Sequence, residues 1–343
     1  MNRDQVVSFF DSYINHFDPP IKYDIYVNSV VKHRNGFLVE TDRGSFTAKN
    51  VVIAVGFYQK ARLPLFTEHL SSHLFQIHSS HYRNSAELPP GGVLVIGSAQ
   101  SGSQIAEELL FAGKDVFLSV SATDRIPRRY RGLDSYRWMD LMGYFKRTVE
   151  ELKSPSEKYA SSAHATGKNG GHTINLHQFS QCGMHLLGHI EGVHTDRIFI
   201  APDLQENLAK ADQFESDFVA EVDQYIKENR LDNPPELLPK LTDGFHNDEV
   251  REIKLRKTGI NNIIWATGYR FDFSWVNFPV FDQDGFPIQD RGITDVNGLY
   301  FIGLPFLHTG ISGVIAGVGD DAEYIALDIF QKEQAKNNTC SKL

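Results

Sequence analysis

The chain is short of several things, and each shortage excludes a class of protein. Its 343 residues include two cysteines, Cys182 and Cys340, and no CxxC pair. Two are too few for a disulfide framework and suit a reducing compartment. No uninterrupted apolar run is long enough to cross a membrane, and the opening MNRDQVVSFF lacks the apolar centre of a secretory signal. Positive charge is in deficit: 34 Lys and Arg against 43 Asp and Glu leave a net −9, which argues against general nucleic-acid binding. No glycine precedes Gly36, and no internal repeat is present. A composition of 41% hydrophobic and 22% charged residues is ordinary for a globular protein, and the length suffices for two domains with cores of their own. The expected location is the cytoplasm.

The most ordered stretch is Gly91 to Ser121, GGVLVIGSAQSGSQIAEELLFAGKDVFLSVS. Val93 to Ile96 has the length of a buried strand. Gly97-Ser98-Ala99-Gln100-Ser101-Gly102 follows at once, and Ile105, Ala106, Leu109 and Leu110 recur at helical spacing before Gly113. Val116 to Val120 reads as a second strand. This strand, tight turn, helix, strand order is that of a dinucleotide-binding crossover. Gly97 permits the turn, the backbone of Ser98 to Ser101 can approach a pyrophosphate, and the helix start offers unpaired N–H groups and partial positive charge.

Nucleotide choice is legible at the end of the second strand. An NAD site usually places an acid about 20 residues past the first glycine. Here Ser119-Val120-Ser121 carries none, and Arg125, Arg128 and Arg129 follow. Without the acid a 2′-phosphate is not repelled, and a guanidinium can bind it bidentately, which favours NADPH over NADH. A solvated basic loop is the alternative reading of the same arginines.

Elsewhere the chain alternates short strands and helices. Val6, Val7, Phe10, Tyr13, Ile14 and Phe17 share one helical face before Pro19-Pro20. Ile25 to Val31, Phe37 to Thr41 and Ser45 to Ala48 are strand-like, with turns at Arg34-Asn35-Gly36 and Asp42-Arg43-Gly44. Val51 to Val55 is a buried strand stopping at Gly56. Pro64 and then Pro89-Pro90-Gly91-Gly92 mark a linker. Ser135 to Phe145 predicts a helix, Lys153 to Thr173 a mobile loop, and Leu204 to Asn229 a long amphipathic helix with Leu204, Leu208, Ala211, Phe214, Phe218, Val222 and Ile226 in one stripe. Asn262 to Trp265 is a buried strand, Phe281 to Ile288 a hairpin around Asp284-Gly285, and Leu299 to Ile302 a final strand. Gly310 to Phe330 follows as a turn and helix.

Together VLVIGSAQSGSQIAEEL, RIPRRYRG, IIWATGY and GLYFIGLPFLHTGISG resemble the flavin-containing monooxygenase-like oxidoreductases, within the two-dinucleotide flavoproteins of the pyridine nucleotide-disulfide reductase type. The resemblance runs from about Asp4 to Phe330. It implies an α/β fold in which a Rossmann-like NADPH-binding domain is inserted into an FAD-binding domain with parallel sheets, the latter incomplete at its N-terminus. The implied division is 1–88 as a partial FAD domain with a β-meander, 89–270 as the NADPH domain, 271–330 as the return to the FAD domain, and 331–343 as a flexible tail. Ala54-Val55-Gly56 and Ala266-Thr267-Gly268 match the two strand ends that flank the insertion, and Gly303 and Gly310 lie in the part expected near the isoalloxazine ring. The implied chemistry is hydride transfer from NADPH to FAD and then to oxygen or a small-molecule substrate, the protein supplying position and water exclusion.

The departures from the family are as specific as the matches. The family begins with a strand and GxGxxG turn for the ADP half of FAD, and this chain starts beyond it. Three expectations stay open: a fragment or mis-started product, FAD held weakly or with a partner, or FAD lost, which leaves an NADP(H)-binding pseudoenzyme. Such a chain is expected to self-associate through uncovered strand edges. Of the fingerprint FxGxxxHxxxY, His78 and Tyr82 match, whereas Ser72 and Leu74 stand where Phe and Gly belong. No catalytic acid, base or nucleophile stands out, and His78 reads as structural. Cys182, His185 and His189 would share a helical face, but Gly183 and Gly188 weaken that helix, and no metal site is expected. Ser101 misses the GxSxG elbow at Ala99. The terminal Ser341-Lys342-Leu343 has the form of a peroxisomal address in a eukaryotic host.

Overall fold

The computed structural model describes residues 2–159 and 163–340, which divide into two compact units, residues 1–57 with 271–343 and residues 58–270. In the first unit, α1 (Arg3–Phe17) starts with a reciprocal capping box between Asn2 and Gln5 and ends at Asp18 in the left-handed region. Its apolar spacing makes a helix, yet none of its residues is buried: Val7, Phe10, Tyr13 and Phe17 are all exposed. Three antiparallel strands follow, β1 (Val27–His33), β2 (Gly36–Thr41) and β3 (Gly44–Ala48), joined by tight turns. Next, β4 (Val51–Ile53) pairs in parallel with β17 (Leu299–Phe301), Val51 opposite Leu299 and Ile53 opposite Phe301. Both strands run out into glycines with positive φ, Gly56 at +67° and Gly303 at +75°. Aromatic packing closes this unit, with Phe273 stacked on Phe281 at 5.2 Å and both rings set edge-on to Phe301. Phe281 to Ile288 folds back as the expected hairpin, the Asp282 N–H bonding the Phe286 carbonyl at 2.9 Å and the Ile288 N–H the Val280 carbonyl at 2.7 Å, with an antiparallel bridge between Phe281 and Pro287.

The last helix, α7 (Val318–Cys340), corrects the expectation of a flexible tail from residue 331. Residues 331–340 continue the helix because Gln, Lys, Glu and Ala are strong helix formers, and Lys332 pairs with Asp328 one turn back at 2.7 Å. The tripeptide Ser341-Lys342-Leu343 lies outside the described residues.

The second unit is built on a five-stranded parallel sheet in the order β11-β8-β7-β15-β6. Its strands are β6 (Phe75–His78), β7 (Gly92–Ile96), β8 (Val116–Ser119), β11 (His185–Leu187) and β15 (Ile260–Trp265). Small pairs join β5 (Lys60–Ala61) to β16 (Tyr269–Arg270) and β9 (Arg129–Tyr130) to β10 (Leu133–Asp134). Because β6 pairs with β15, residues 58–88 belong with this unit and not with the first, which corrects the boundary expected at 88.

Central β7 is buried throughout, as a strand covered on both faces must be. One face is covered by α2 (Gln100–Phe111), α4 (Leu176–Gln181) and the start of α5 (Leu204–Asn229), with Val93, Val95, Leu109, Leu118 and Leu208 in that core. The other face carries an antiparallel meander, β12 (Ile190–His194), β13 (Arg197–Ile200) and β14 (Glu252–Lys254), followed by α6 (Leu255–Thr258). Leu94, Ile96, Ile198, Ile253 and Trp265 fill that layer. The far half of α5 packs on α3 (Ser135–Leu141), with Trp138 against Phe218, Val222 and Ile226. Every residue of the expected α5 stripe is buried except Phe214.

Candidate functional site

Chemistry in the second unit concentrates where β7 ends. Gly97 has φ +103°, a conformation open to glycine, and a Cβ there would meet the carbonyl oxygen of Ala266 at 2.6 Å. Gly102 sits closer still: a Cβ would lie 1.8 Å from the carbonyl oxygen of Gly97. The two glycines therefore let the turn, the first turn of α2 and the end of β15 interlock. Ser98 is fully buried, and its hydroxyl donates to the Ser121 carbonyl at 3.2 Å while accepting from the Ser121 N–H at 3.0 Å, which ties the turn to the end of β8. Ala99 is the N-cap, so no side chain caps α2, and no acid stands in its first turn. The Ser101 hydroxyl is exposed and has no partner among the described residues. The result is an open helix N-terminus with unpaired donors, the arrangement that holds a pyrophosphate.

Gln100 faces the stretch expected to be a mobile loop. Its amide bonds both the N–H of Ala165, at 2.8 Å, and the Ala165 carbonyl. Further along, buried Glu107 meets His172 at 2.5 Å and Lys168 at 3.6 Å. Residues 163–172 are thus strapped to α2 by backbone and ionic contacts; residues 160–162 of that stretch lie outside the described residues.

The three arginines part company. Arg125 is buried, and its guanidinium contacts Asp212 and Glu215 of α5, each at 2.7 Å. That corrects its expected place on a 2′-phosphate, since two carboxylates already neutralise it. Arg128 pairs with Asp134 at 2.8 Å and lies over the Tyr136 ring. Arg129 is exposed and donates to the carbonyls of Gly170, at 2.6 Å, and Gly171, at 2.9 Å, with no carboxylate partner among the described residues.

Behind the turn lies a buried polar network that the sequence reading missed. Fully buried His177 accepts the Gly244 N–H at Nδ1, 3.0 Å away, so Nε2 carries the proton and faces Asp212 at 3.2 Å. Asp212 in turn holds Arg125. Burial pushes the His177 imidazole below its ordinary value of 6.5, as it does for buried His164. The signal was present as two acids, Asp212 and Glu215, bordering the apolar stripe of α5.

Of the other expected residues, Ala266 reaches the turn: its N–H bonds the Ile96 carbonyl at 2.9 Å. Thr267 turns instead to the Arg62 carbonyl. Gly268, at φ +78°, accepts from or donates to no nucleotide-turn residue; its carbonyl meets His78 Nε2 at 3.0 Å. Tyr82 donates to Glu108 at 2.9 Å, so both matching fingerprint residues hold structure together here. Cys182, His185 and His189 do not share a helical face: they stand at the end of α4, the start of β11 and just beyond it, and His185 and His189 pair with Asp115 and Asp203.

The first unit offers a different surface. Gly303 ends β17 with φ +75°, and Gly310 lies half-buried in the turns beyond it. The helix that follows, α7, carries Asp320 and Asp321 in its first turn, and α1 is closed by its capping box. Asp321 is buried against Arg291 at 3.1 Å. Carboxylates at a helix start repel a phosphate. Neither helix start of this unit fits the pyrophosphate of FAD.

Comparison with known proteins now places the chain. The family described as pyridine nucleotide-disulphide oxidoreductase matches residues 1–167. Over 330 residues the chain is 31% identical to a protein of Geobacillus kaustophilus named uncharacterized oxidoreductase CzcO-like, covering 96% of this chain and 78% of that one. The chain belongs to the CzcO-like oxidoreductases. A second relative, the CzcO oxidoreductase of Bacillus subtilis, is 30% identical over 329 residues, 94% of this chain and 77% of that protein. Among solved structures, a variant of a flavin monooxygenase from Stenotrophomonas maltophilia aligns with a TM-score of 0.60 at 15% identity, over 95% of this chain and 76% of that one. Cyclohexanone monooxygenase bound to ε-caprolactone aligns with a TM-score of 0.52 at 16% identity, over 98% and 74%. The fold is the FAD/NAD(P)-binding fold of flavoprotein monooxygenases. These relatives are bacterial, and bacteria have no peroxisomes, so nothing in them supports reading Ser341-Lys342-Leu343 as an address. No helix among the described residues is long and apolar enough to cross a membrane.

Proposed function

We propose that this member of an oxidoreductase family binds NADPH on its second unit, as the reductant of a flavin-type oxidoreductase that acts on a small molecule. The observation that carries the reading is the uncapped, acid-free start of α2, set against the interlocked Gly97, Gly102 and Ala266. Gly97 to Gly102 and the Ser101 hydroxyl hold the pyrophosphate. Arg129 holds the 2′-phosphate, because Arg125 and Arg128 are committed to carboxylates and Arg129 is not. Gln100, by fixing Ala165, keeps the strapped loop in place beside the nucleotide. When bound, NADPH supplies a hydride; the chain supplies position and exclusion of water.

A second reading, an NADP(H)-binding protein without flavin, is favoured by one observation: both helix starts of the first unit are closed to a pyrophosphate. An absorption spectrum of the purified chain, followed by NADPH titration, separates the two. A bound yellow chromophore bleached by NADPH supports the oxidoreductase. A colourless chain that binds NADPH supports the second reading, and a chain that binds no NADPH overturns both.

A further inference from the structure

One cavity of the second unit lies away from the nucleotide turn. A cleft of about 740 Å³ opens between two sheet edges, β11 on one side and β14 with α6 on the other. It lies on the meander face of the parallel sheet, whereas α2 covers the opposite face. Phe117, Leu187, Val250 and Ile253 give it an apolar floor. Its volume is in the range of pockets that hold small organic ligands.

Two features make this cleft chemically specific. His185 stacks flat on Phe117, with ring centroids 4.3 Å apart and planes at 16°. Asp115 fixes the imidazole at 3.1 Å, and the His185 side chain is still 53% exposed. The imidazole and Phe117 thus form a flat aromatic pair in the wall of the cleft. Beside it stand Lys254 and Lys257, which have no carboxylate partner among the described residues. The acids nearby are mostly committed: Glu252 pairs with Arg197 at 3.5 Å, and Asp115 with His185. In the lining Lys254 and Lys257 face two acids, Asp248 and Glu252, so its charges balance, but neither ammonium group is held by a carboxylate among the described residues.

A flat aromatic shelf flanked by two uncommitted ammonium groups is complementary to a flat ring bearing an anion. We propose that this cleft is a ligand site for a small planar aromatic carboxylate, separate from the nucleotide turn. The ring stacks on His185, and the carboxylate accepts from Lys254 and Lys257. The site stands on the cleft alone and does not depend on NADPH binding.

Equilibrium dialysis of the full chain against 2-aminobenzoate, read by its fluorescence, tests this, with aniline as the neutral ring and circular dichroism melts as the check on folding. The expected result is saturable binding of one equivalent. A K254Q/K257Q double variant weakens it at least tenfold with an unchanged melt, as does removal of the carboxylate in aniline. H185A weakens it as well. Absence of saturable binding overturns the proposal. So does binding that is indifferent to the lysine pair, aniline bound as tightly as 2-aminobenzoate, or displacement of 2-aminobenzoate by NADPH, which would put the ligand at the nucleotide turn.

Discussion

Two helix starts in this molecule follow buried strands and glycines with positive φ, yet only one is fit for an anion. After β7, Gly97 leads within three residues into α2, whose first turn has no acid and no cap. After β17, Gly303 leads into a long series of turns before α7, whose first turn holds Asp320 and Asp321. In α2 the helix dipole meets no carboxylate, whereas in α7 it already faces two. A positive-φ glycine after a strand is therefore a weak sign of a nucleotide site. The residue at the cap and the charge of the first turn decide it.

That contrast can be broken at its tightest point first. Gly102→Ala would drive a Cβ into the Gly97 carbonyl and force the turn apart. It should remove NADPH binding by more than about 100-fold and cost the second unit ~3 kcal/mol, the upper range for overpacking, in nucleotide titration and denaturant melts. An alanine variant that binds normally would refute the turn as the site.

Next in size is the division among the arginines. Arg125→Gln takes the buried cation from the half-buried Asp212 and Glu215 and should destabilise the second unit by roughly 2 kcal/mol, with NADPH and NADH affected alike. Arg129→Gln should leave the melt unchanged and weaken NADPH about tenfold while sparing NADH, the effect of one charge-assisted contact. The reverse pattern would return the 2′-phosphate to Arg125.

Acid should act on the second unit through His78, His164 and His177, all held below the ordinary histidine value of 6.5 by burial. The unfolded chain then binds more protons than the folded one below 6.5, so stability is full above that pH and is lost as pH falls through it. Melting temperature at pH 7.5 should exceed that at pH 5.5, and a His177→Gln variant should flatten the difference. A melt independent of pH over that interval would contradict it.

The smallest effect concerns the first unit. Its parallel pair β4–β17 leaves Val52 and Val55 exposed, and α1 has no buried residue. We propose that the chain self-associates through these surfaces, and that Val52→Lys shifts it toward monomer in sedimentation at micromolar concentration. A wild-type chain that is wholly monomeric would count against this.

Much of the second unit is legible in the sequence because it is local. Val93 to Gly102 and Ile105 to Leu110 form strand, turn and helix through neighbours a few residues apart, and Gly97 needs its conformation whatever surrounds it. The stripe of α5 is legible for the same reason, since helical spacing fixes one face. Other features depend on partners remote in the chain. Arg125 is taken out of use by Asp212 and Glu215, about 90 residues onward. Residues 58–88 join the second unit only because β6 finds the edge of β15. The apolar face of α1 is plain in the sequence, but that it stays exposed is not. The cleft beside His185 arises where two edge strands meet. Spacing and glycine determined the turn and its helix, since these obey backbone geometry alone. Which charges remain free, and where a cavity opens, was decided by tertiary packing, because neutralisation and enclosure both require atoms brought together across the chain.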